Sequence, residues 1–189
     1  MTKTIVGALA FLLVGSIVQA VPIVGGLTTL DINSGTATAL AGLGLSIAPI
    51  APGTFNPTTL VATFPITGGN TTTMIDHSGG LAFTMGTTTT DIENFIINLT
   101  GAEANIVTGT VAVGSLSFSG VQLFDIGAGT VLTVDSQLAA DLVAIYSIPN
   151  LTGADVGTAS VNAITTPEPT TLAFFGLGTL AAVFARRRK

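Results

Sequence analysis

Alternating apolar and polar positions dominate the middle of the chain. Leu81, Phe83 and Met85 fall on one side of an extended segment, and Leu116 and Phe118 alternate with serines. Alternation with a period of two predicts β-strands that bury one face. Other strands are predicted by apolar, β-branched runs at residues 92–99, 106–113, 121–124, 130–134 and 156–164.

The first third of the body has a weaker pattern. Residues 27–32 predict a short strand, and residues 58–64 predict an edge strand that Pro65 ends. Residues 36–45 are apolar but broken by glycines, so neither the helical nor the strand period prevails.

One segment changes to helical spacing. Leu138, Leu142 and Ile145 recur at intervals of three and four after Asp135 and Ser136, either of which can cap a helix. The pattern predicts a helix over residues 136–146, with its apolar stripe over an open end or edge of the sheet. The predicted fold is mostly β: a single β-sandwich or barrel-like domain with one short helix.

The first twenty residues have the order of a secretory signal peptide. Lys3 precedes an apolar run over residues 5–18, and Val18 and Ala20 occupy the two small-residue positions that a signal peptidase reads. The alternative is a retained membrane anchor, for which the run is short.

The last segment, residues 167–189, has three parts in order. Pro167, Glu168 and Pro169 come first, an uncharged and mostly apolar run over residues 170–185 follows, and a basic block closes it. As a helix the run spans about 24 Å, slightly less than a ~30 Å hydrocarbon core, and snorkelling cations compensate for the difference. A buried C-terminal helix is the alternative, although core helices seldom end in bare cations. The basic block consists of Arg186, Arg187, Arg188 and Lys189.

This segment resembles the PEP-CTERM sorting signal of Gram-negative bacteria. The resemblance implies an exosortase that removes the tail after a transient inner-membrane stage, leaving the protein in the cell envelope or outside the cell. It also implies an exopolysaccharide, biofilm or floc context. The predicted organisation is a signal peptide (1–20), an exported β-rich body (21–166) and a sorting signal (167–189).

Charge separates the body from both ends. All five Lys and Arg residues lie in the end segments, whereas nine of the ten carboxylates lie between residues 21 and 166. A body without Lys or Arg has no clustered positive charge with which to bind the phosphates of a nucleic acid. Its carboxylates leave calcium binding open, although no spaced calcium loop is present. There is no cysteine, so the fold must rest on hydrophobic burial rather than disulfides.

Residues 76–83 and 91–98 have a fainter resemblance to HtaA-type domains, some of which bind haem. That resemblance implies a tyrosine ligand with an assisting histidine. The body holds one of each, His77 and Tyr146, and Tyr146 lies far downstream of the place that the resemblance expects. We treat both as speculative ligand-binding residues.

The sequence offers little catalytic chemistry. His77 and Ser78 are adjacent, so on an extended chain they point in different directions. A zinc site needs three or four ligands, and with one histidine and no cysteine we predict neither metal site nor cofactor. Asp91 and Glu93 share a strand face, which leaves a secreted glycoside hydrolase open. The leading hypothesis is a non-enzymatic structural or adhesive protein, and the alternative is a surface module for haem or calcium.

Overall fold

The computed structural model describes residues 20–166, so the predicted sorting signal and all but the last residue of the predicted signal peptide lie outside it. Ala20 is exposed at the edge of the described residues. The elements in chain order are β1 (Ile23–Ile32), α1 (Ser34–Gly42), β2 (Ser46–Ile50), β3 (Thr54–Asn56), β4 (Val61–Gly69), β5 (Met74–His77), β6 (Gly80–Met85), β7 (Thr88–Asn98), β8 (Ile106–Val113), β9 (Leu116–Ile126), a 3-10 turn (Ala128–Thr130), β10 (Val131–Val134), α2 (Ser136–Tyr146) and β11 (Asp155–Thr165).

Eight of the strands close into an antiparallel barrel. Their order is β7-β5-β4-β1-β11-β10-β9-β8, and a ladder between β7 and β8 completes the ring. The prediction of a mostly β fold is therefore confirmed, and closure of the ring distinguishes a barrel from a sandwich.

The barrel has two ends that differ. At one end, the tail end, Ile23 pairs with Thr165 and the backbone N–H of Thr166 donates to Pro22 O at 3.3 Å. At the opposite end, the helix end, Ile32 pairs with Gly157. Both helices follow strands that finish at the helix end.

Extra strands widen the helix end. β5 and β6 both pair with β7, but β5 joins β4 on its other side, whereas β6 joins β2. The change of partner occurs at Ser78 and Gly79. Gly79 has φ +77°, and a Cβ there would lie 2.4 Å from the backbone nitrogen of Gly53. Only glycine fits this contact. Strands β2 and β3 are therefore added at the helix end, outside the eight-stranded ring.

Two features of the structure differ from the sequence predictions. The sequence predicted one helix, whereas the described residues contain a second, α1. This helix has no fully buried residue and no clear apolar stripe. Pro65 was predicted to end a strand, but β4 continues through it to Gly69. Pro65 sits where β4 changes partner from β3, last paired at Thr63, to β5, first paired at Ile66. The missing N–H therefore costs no ladder bond.

Candidate functional site: an apolar cavity in the barrel

Strand alternation turns one face of every barrel strand inward. On β1 the inward residues are Thr28, Leu30 and Ile32, all of them buried. These side chains do not fill the interior. A cavity of about 220 Å³ remains, with a wall that is almost entirely aliphatic and aromatic.

Helix α1 covers part of the cavity at the helix end. Asn33 caps the helix by accepting from the backbone N–H of Gly35 at 2.8 Å, and its Nδ2 donates to Asp155 Oδ2 at 2.9 Å. The hydroxyl of Thr36 donates to the backbone oxygen of Asp155. The helix is thus tied to the start of β11, and Leu40 and Leu43 face the cavity.

Helix α2 crosses the same end from β9 to β6. Near its start the side-chain oxygen of Gln137 accepts from the backbone N–H of Gln122 at 2.8 Å. Leu138 and Leu142 then line the cavity. The predicted stripe over an open end of the sheet is therefore confirmed.

Tyr146, the last residue of α2, ties the C-terminal end of the helix to β6 and β7. The hydroxyl of Tyr146 lies 2.6 Å from Phe83 O and 2.7 Å from Thr90 Oγ1. Because a carbonyl only accepts, the phenol donates to Phe83 O and accepts the proton of Thr90. Thr90 is completely buried, so its hydroxyl relies on this phenol as a hydrogen-bond partner.

One polar pair reaches the cavity wall from β1 and β5, the two strands that flank β4. His77 Nε2 lies 2.6 Å from Thr28 Oγ1, and His77 Nδ1 lies 3.2 Å from the carbonyl oxygen of Phe95. The carbonyl can only accept, so we assign the proton to Nδ1. Nε2 is then the acceptor, and Thr28 donates to it. Both members line the cavity, beside the edge-to-face pair of Phe64 and Phe95 with centroids 4.9 Å apart.

Burial lowers the pKa of His77 below its ordinary value of 6.5, although hydrogen bonds with the backbone of Phe95 and Ile75 and the charge of Asp76 oppose that shift. At pH 7 the imidazole is therefore neutral, in keeping with the assigned tautomer.

The structure separates the two speculative ligand-binding residues. His77 lines the cavity, whereas Tyr146 is absent from its wall and its hydroxyl is engaged with Phe83 and Thr90. Ser78 and Gly79, which follow His77, are residue types typical of a turn. Those residues mark the change of strand partner instead. Most of the predicted processing residues lie outside the part of the chain that the structure describes. They are Val18, Pro167, Glu168, Pro169, Arg186, Arg187, Arg188 and Lys189.

The predicted carboxylate pair lies outside the cavity. Asp91 and Glu93 are half-buried on the opposite face of β7 from Ile92, which lines the cavity. They share a strand face as predicted, but that face is the outer one. No carboxylate side chain belongs to the cavity wall.

Across residues 20–166, no cluster of three or more His, Asp or Glu side chains is arranged to hold a metal ion. In the same range, no helix has the length and apolar character needed to span a membrane.

Comparison with known proteins identifies the end of the chain. Residues 165–189 match the family model of the PEP-CTERM protein-sorting motif. Neither the curated proteins nor the solved structures give a significant match, and the resemblance to HtaA-type domains gains no support. The predicted sorting signal is thereby confirmed, and the motif marks the chain as an exosortase-targeted surface protein.

Proposed function

From this sorting motif we propose that the chain is a non-enzymatic structural or adhesive protein of the cell envelope or extracellular matrix. A signal peptidase cleaves after Ala20, and an exosortase removes the tail. The match of residues 165–189 to the sorting motif carries the proposal.

The boundary between barrel and motif suits such processing. The last strand ends at Thr165, and the Pro-Glu-Pro triplet begins two residues later. A cut at or after the triplet lies beyond Thr165, the last residue of the described ladders. The body therefore keeps all its ladders after release.

The two membrane-directed segments are joined to the barrel at neighbouring points, because residues 22 and 166 lie side by side. Pro22 and Thr166 are joined by a backbone hydrogen bond, so a precursor held by either segment stands on its tail end. The helix end, with α1 and α2, then faces away from the membrane. The precursor presents the same orientation whichever segment is cleaved first.

The outer surface suits contact with hydrated polysaccharide. Thr29 pairs with Thr63 on one side and Ser160 on the other, which forms a row of hydroxyl groups across three strands. No Lys or Arg lies between residues 21 and 166, so the body offers an anionic polymer no Lys or Arg side chain with which to form an ion pair. We propose that neutral exopolysaccharide is the matrix partner and that nucleic acid is not bound.

The test is the intact mass of the protein from culture supernatant and washed envelope. We expect a start at Val21 and loss of the residues after the Pro-Glu-Pro triplet. In a strain without the exosortase, or in a Glu168→Ala variant, the tail should remain. Recovery of the tail through Lys189 from the unmodified strain would contradict the proposal.

The haem or calcium alternative rests on His77, which reaches the cavity, and on the body's carboxylates. Haem coordination through His77 Nε2 requires the bond to Thr28 to break. Titration with haem and with Ca²⁺ tests this alternative: a Soret shift that His77→Gln removes, or a calcium-dependent rise in Tm, would support it.

The hydrolase alternative rests on Asp91 and Glu93, which share the outer face of β7. Hydrolysis of extracted matrix polysaccharide, lost in the Asp91→Asn and Glu93→Gln variants, would support it. We expect no activity from the unmodified chain.

A further inference from the structure

The cavity is larger than packing alone leaves in a protein interior. Interiors are close-packed, and voids above the size of a water molecule are few. The volume of about 220 Å³ exceeds that of a ~150 Å³ engineered cavity, which stays dry and binds benzene. Eight-stranded barrels are wide enough to hold one small ligand. The size therefore fits a molecule somewhat larger than benzene.

The wall selects a neutral molecule. It carries no charged side chain, and the whole body between residues 21 and 166 contains no Lys or Arg to act as a counter-ion. An anionic head group would be desolvated there without a partner, which is costly. Fatty acids are therefore disfavoured relative to uncharged molecules of the same length.

The single polar pair selects one hydrogen-bonding group. Thr28 lines the cavity and donates its proton to His77 Nε2, and its oxygen keeps lone pairs that can still accept a hydrogen bond. A ligand hydroxyl can donate to that oxygen without breaking the His77 bond. The other two hydroxyl groups of the wall are already engaged, because Thr36 donates to the backbone oxygen of Asp155 and Thr130 to that of Ala159.

We propose that the cavity is a binding site for one neutral, mainly hydrocarbon molecule that carries a single hydroxyl group. The hydroxyl donates to Thr28, and the hydrocarbon part lies between the aliphatic wall and the Phe64–Phe95 pair. This inference is independent of the sorting motif and of any matrix role.

The wall also indicates a route of entry. Val161 lines the cavity yet is 42% exposed, and Thr130 lines it and is exposed as well. Both lie on the side of β10 and β11 where the 3-10 turn precedes β10. Ligands enter there without displacement of α1 or α2.

The experiment compares 1-octanol, octane and octanoate, which share a chain length and differ in head group. Each is titrated into the purified protein, with Tm and native mass spectrometry as readouts. We expect saturable one-to-one binding in the order octanol, octane, octanoate. No saturable binding of octanol, or octanoate binding as tightly as octanol, would overturn the proposal.

Two variants locate the site. Ala159 is buried, faces the cavity and pairs with Leu30, so Ala159→Leu fills the space and should abolish binding. Its control is Ser160→Leu at the next, outward-facing position, which should bind normally. Octanol binding that survives Ala159→Leu would place the ligand elsewhere and refute the site.

Thr28→Val keeps the shape and removes the hydroxyl. Octane affinity should stay within twofold, whereas octanol affinity should fall roughly five- to tenfold, to the level of octane. This variant tests the polar contact even if Ala159→Leu fails to fold. An unchanged preference for octanol would show that Thr28 does not receive the ligand hydroxyl.

Discussion

His77 shows how a residue's neighbours in sequence can mislead. Its flanking Ser78 and Gly79 are typical of a turn, and no local signal reveals that the strand continues after changing partner. The histidine is buried because Thr28, 49 residues earlier, and Phe95, 18 residues later, supply its hydrogen bonds. Its place in the cavity follows from long-range pairing, which residue type and spacing do not encode.

Burial of neutral His77 predicts a pH dependence of stability. The folded pKa of His77 lies below 6.5, so as the pH falls through 6.5 the unfolded chain binds a proton more readily than the folded chain does. The free energy of unfolding should be constant above about pH 7.5 and should decrease toward pH 5.5, by at most about 1.4 kcal/mol per pH unit. Urea unfolding at a series of pH values measures this pH dependence of the free energy of unfolding.

The control for that prediction is His77→Gln. The chain contains one histidine and no cysteine, so this variant removes the side chain that titrates nearest this range. The slope between pH 5.5 and 7.5 should disappear. A slope that persists in the variant would assign the effect to other groups.

At the scale of elements, the two helices differ in how well local sequence specifies them. Helix α2 begins and ends where predicted, because its cap and its apolar spacing are both local. Helix α1 has only a weak amphipathic pattern. Hydrogen bonds to Asp155, which is more than a hundred residues later in the chain, hold this helix in place. Strands β2 and β3 were also missed, since prolines and glycines surround them and their partners lie elsewhere.

The cap of α2 can be tested directly. The side chain of Asp135 accepts from the backbone N–H of Gln137 at 2.6 Å. Asp135→Ala should lower the free energy of unfolding by about 1 kcal/mol, because an N-terminal donor loses its partner. Asp135→Asn keeps an acceptor oxygen and should cost distinctly less. Equal losses in the two variants would mean that the cap bond does not stabilise the helix.

The other end of α2 depends on Tyr146. Tyr146→Phe leaves the buried Thr90 hydroxyl and Phe83 O without the phenol, and should destabilise the protein by about 1–3 kcal/mol. Adding Thr90→Val removes one orphaned group, so the double variant should be less destabilised than the sum of the singles. Strict additivity in chemical denaturation would argue against coupling between the two residues.

For the whole molecule, the sequence left sandwich and barrel open. The ring needs a ladder between elements distant in sequence: β1 pairs with β11, so Ile23 lies opposite Thr165. Strand patterns predict faces, but they do not determine which strands become neighbours. The sorting motif, in contrast, was predictable because its composition and order carry the signal without tertiary contacts.

The absence of cations from the body predicts resistance to trypsin in any state. No Lys or Arg occurs between Thr4 and Ala185, so that stretch should stay in one piece even in urea. Glu103→Lys places one site in the exposed turn between β7 and β8. The variant should give two fragments on a gel after digestion in urea, whereas the unmodified chain should give none.

The hydrogen bond between Pro22 and Thr166 places the two ends of the body side by side, so the chain can be rejoined there and opened elsewhere. A circular permutant that joins these residues through a short glycine linker and opens at the Gly114–Ser115 turn retains every strand pair. It should fold with stability close to that of the original. A sorting tail attached to Val113 would leave from the helix end, so the permutant inverts the body relative to the membrane. An envelope role that depends on presenting the helix end outward would then be lost, while cleavage of the tail would continue.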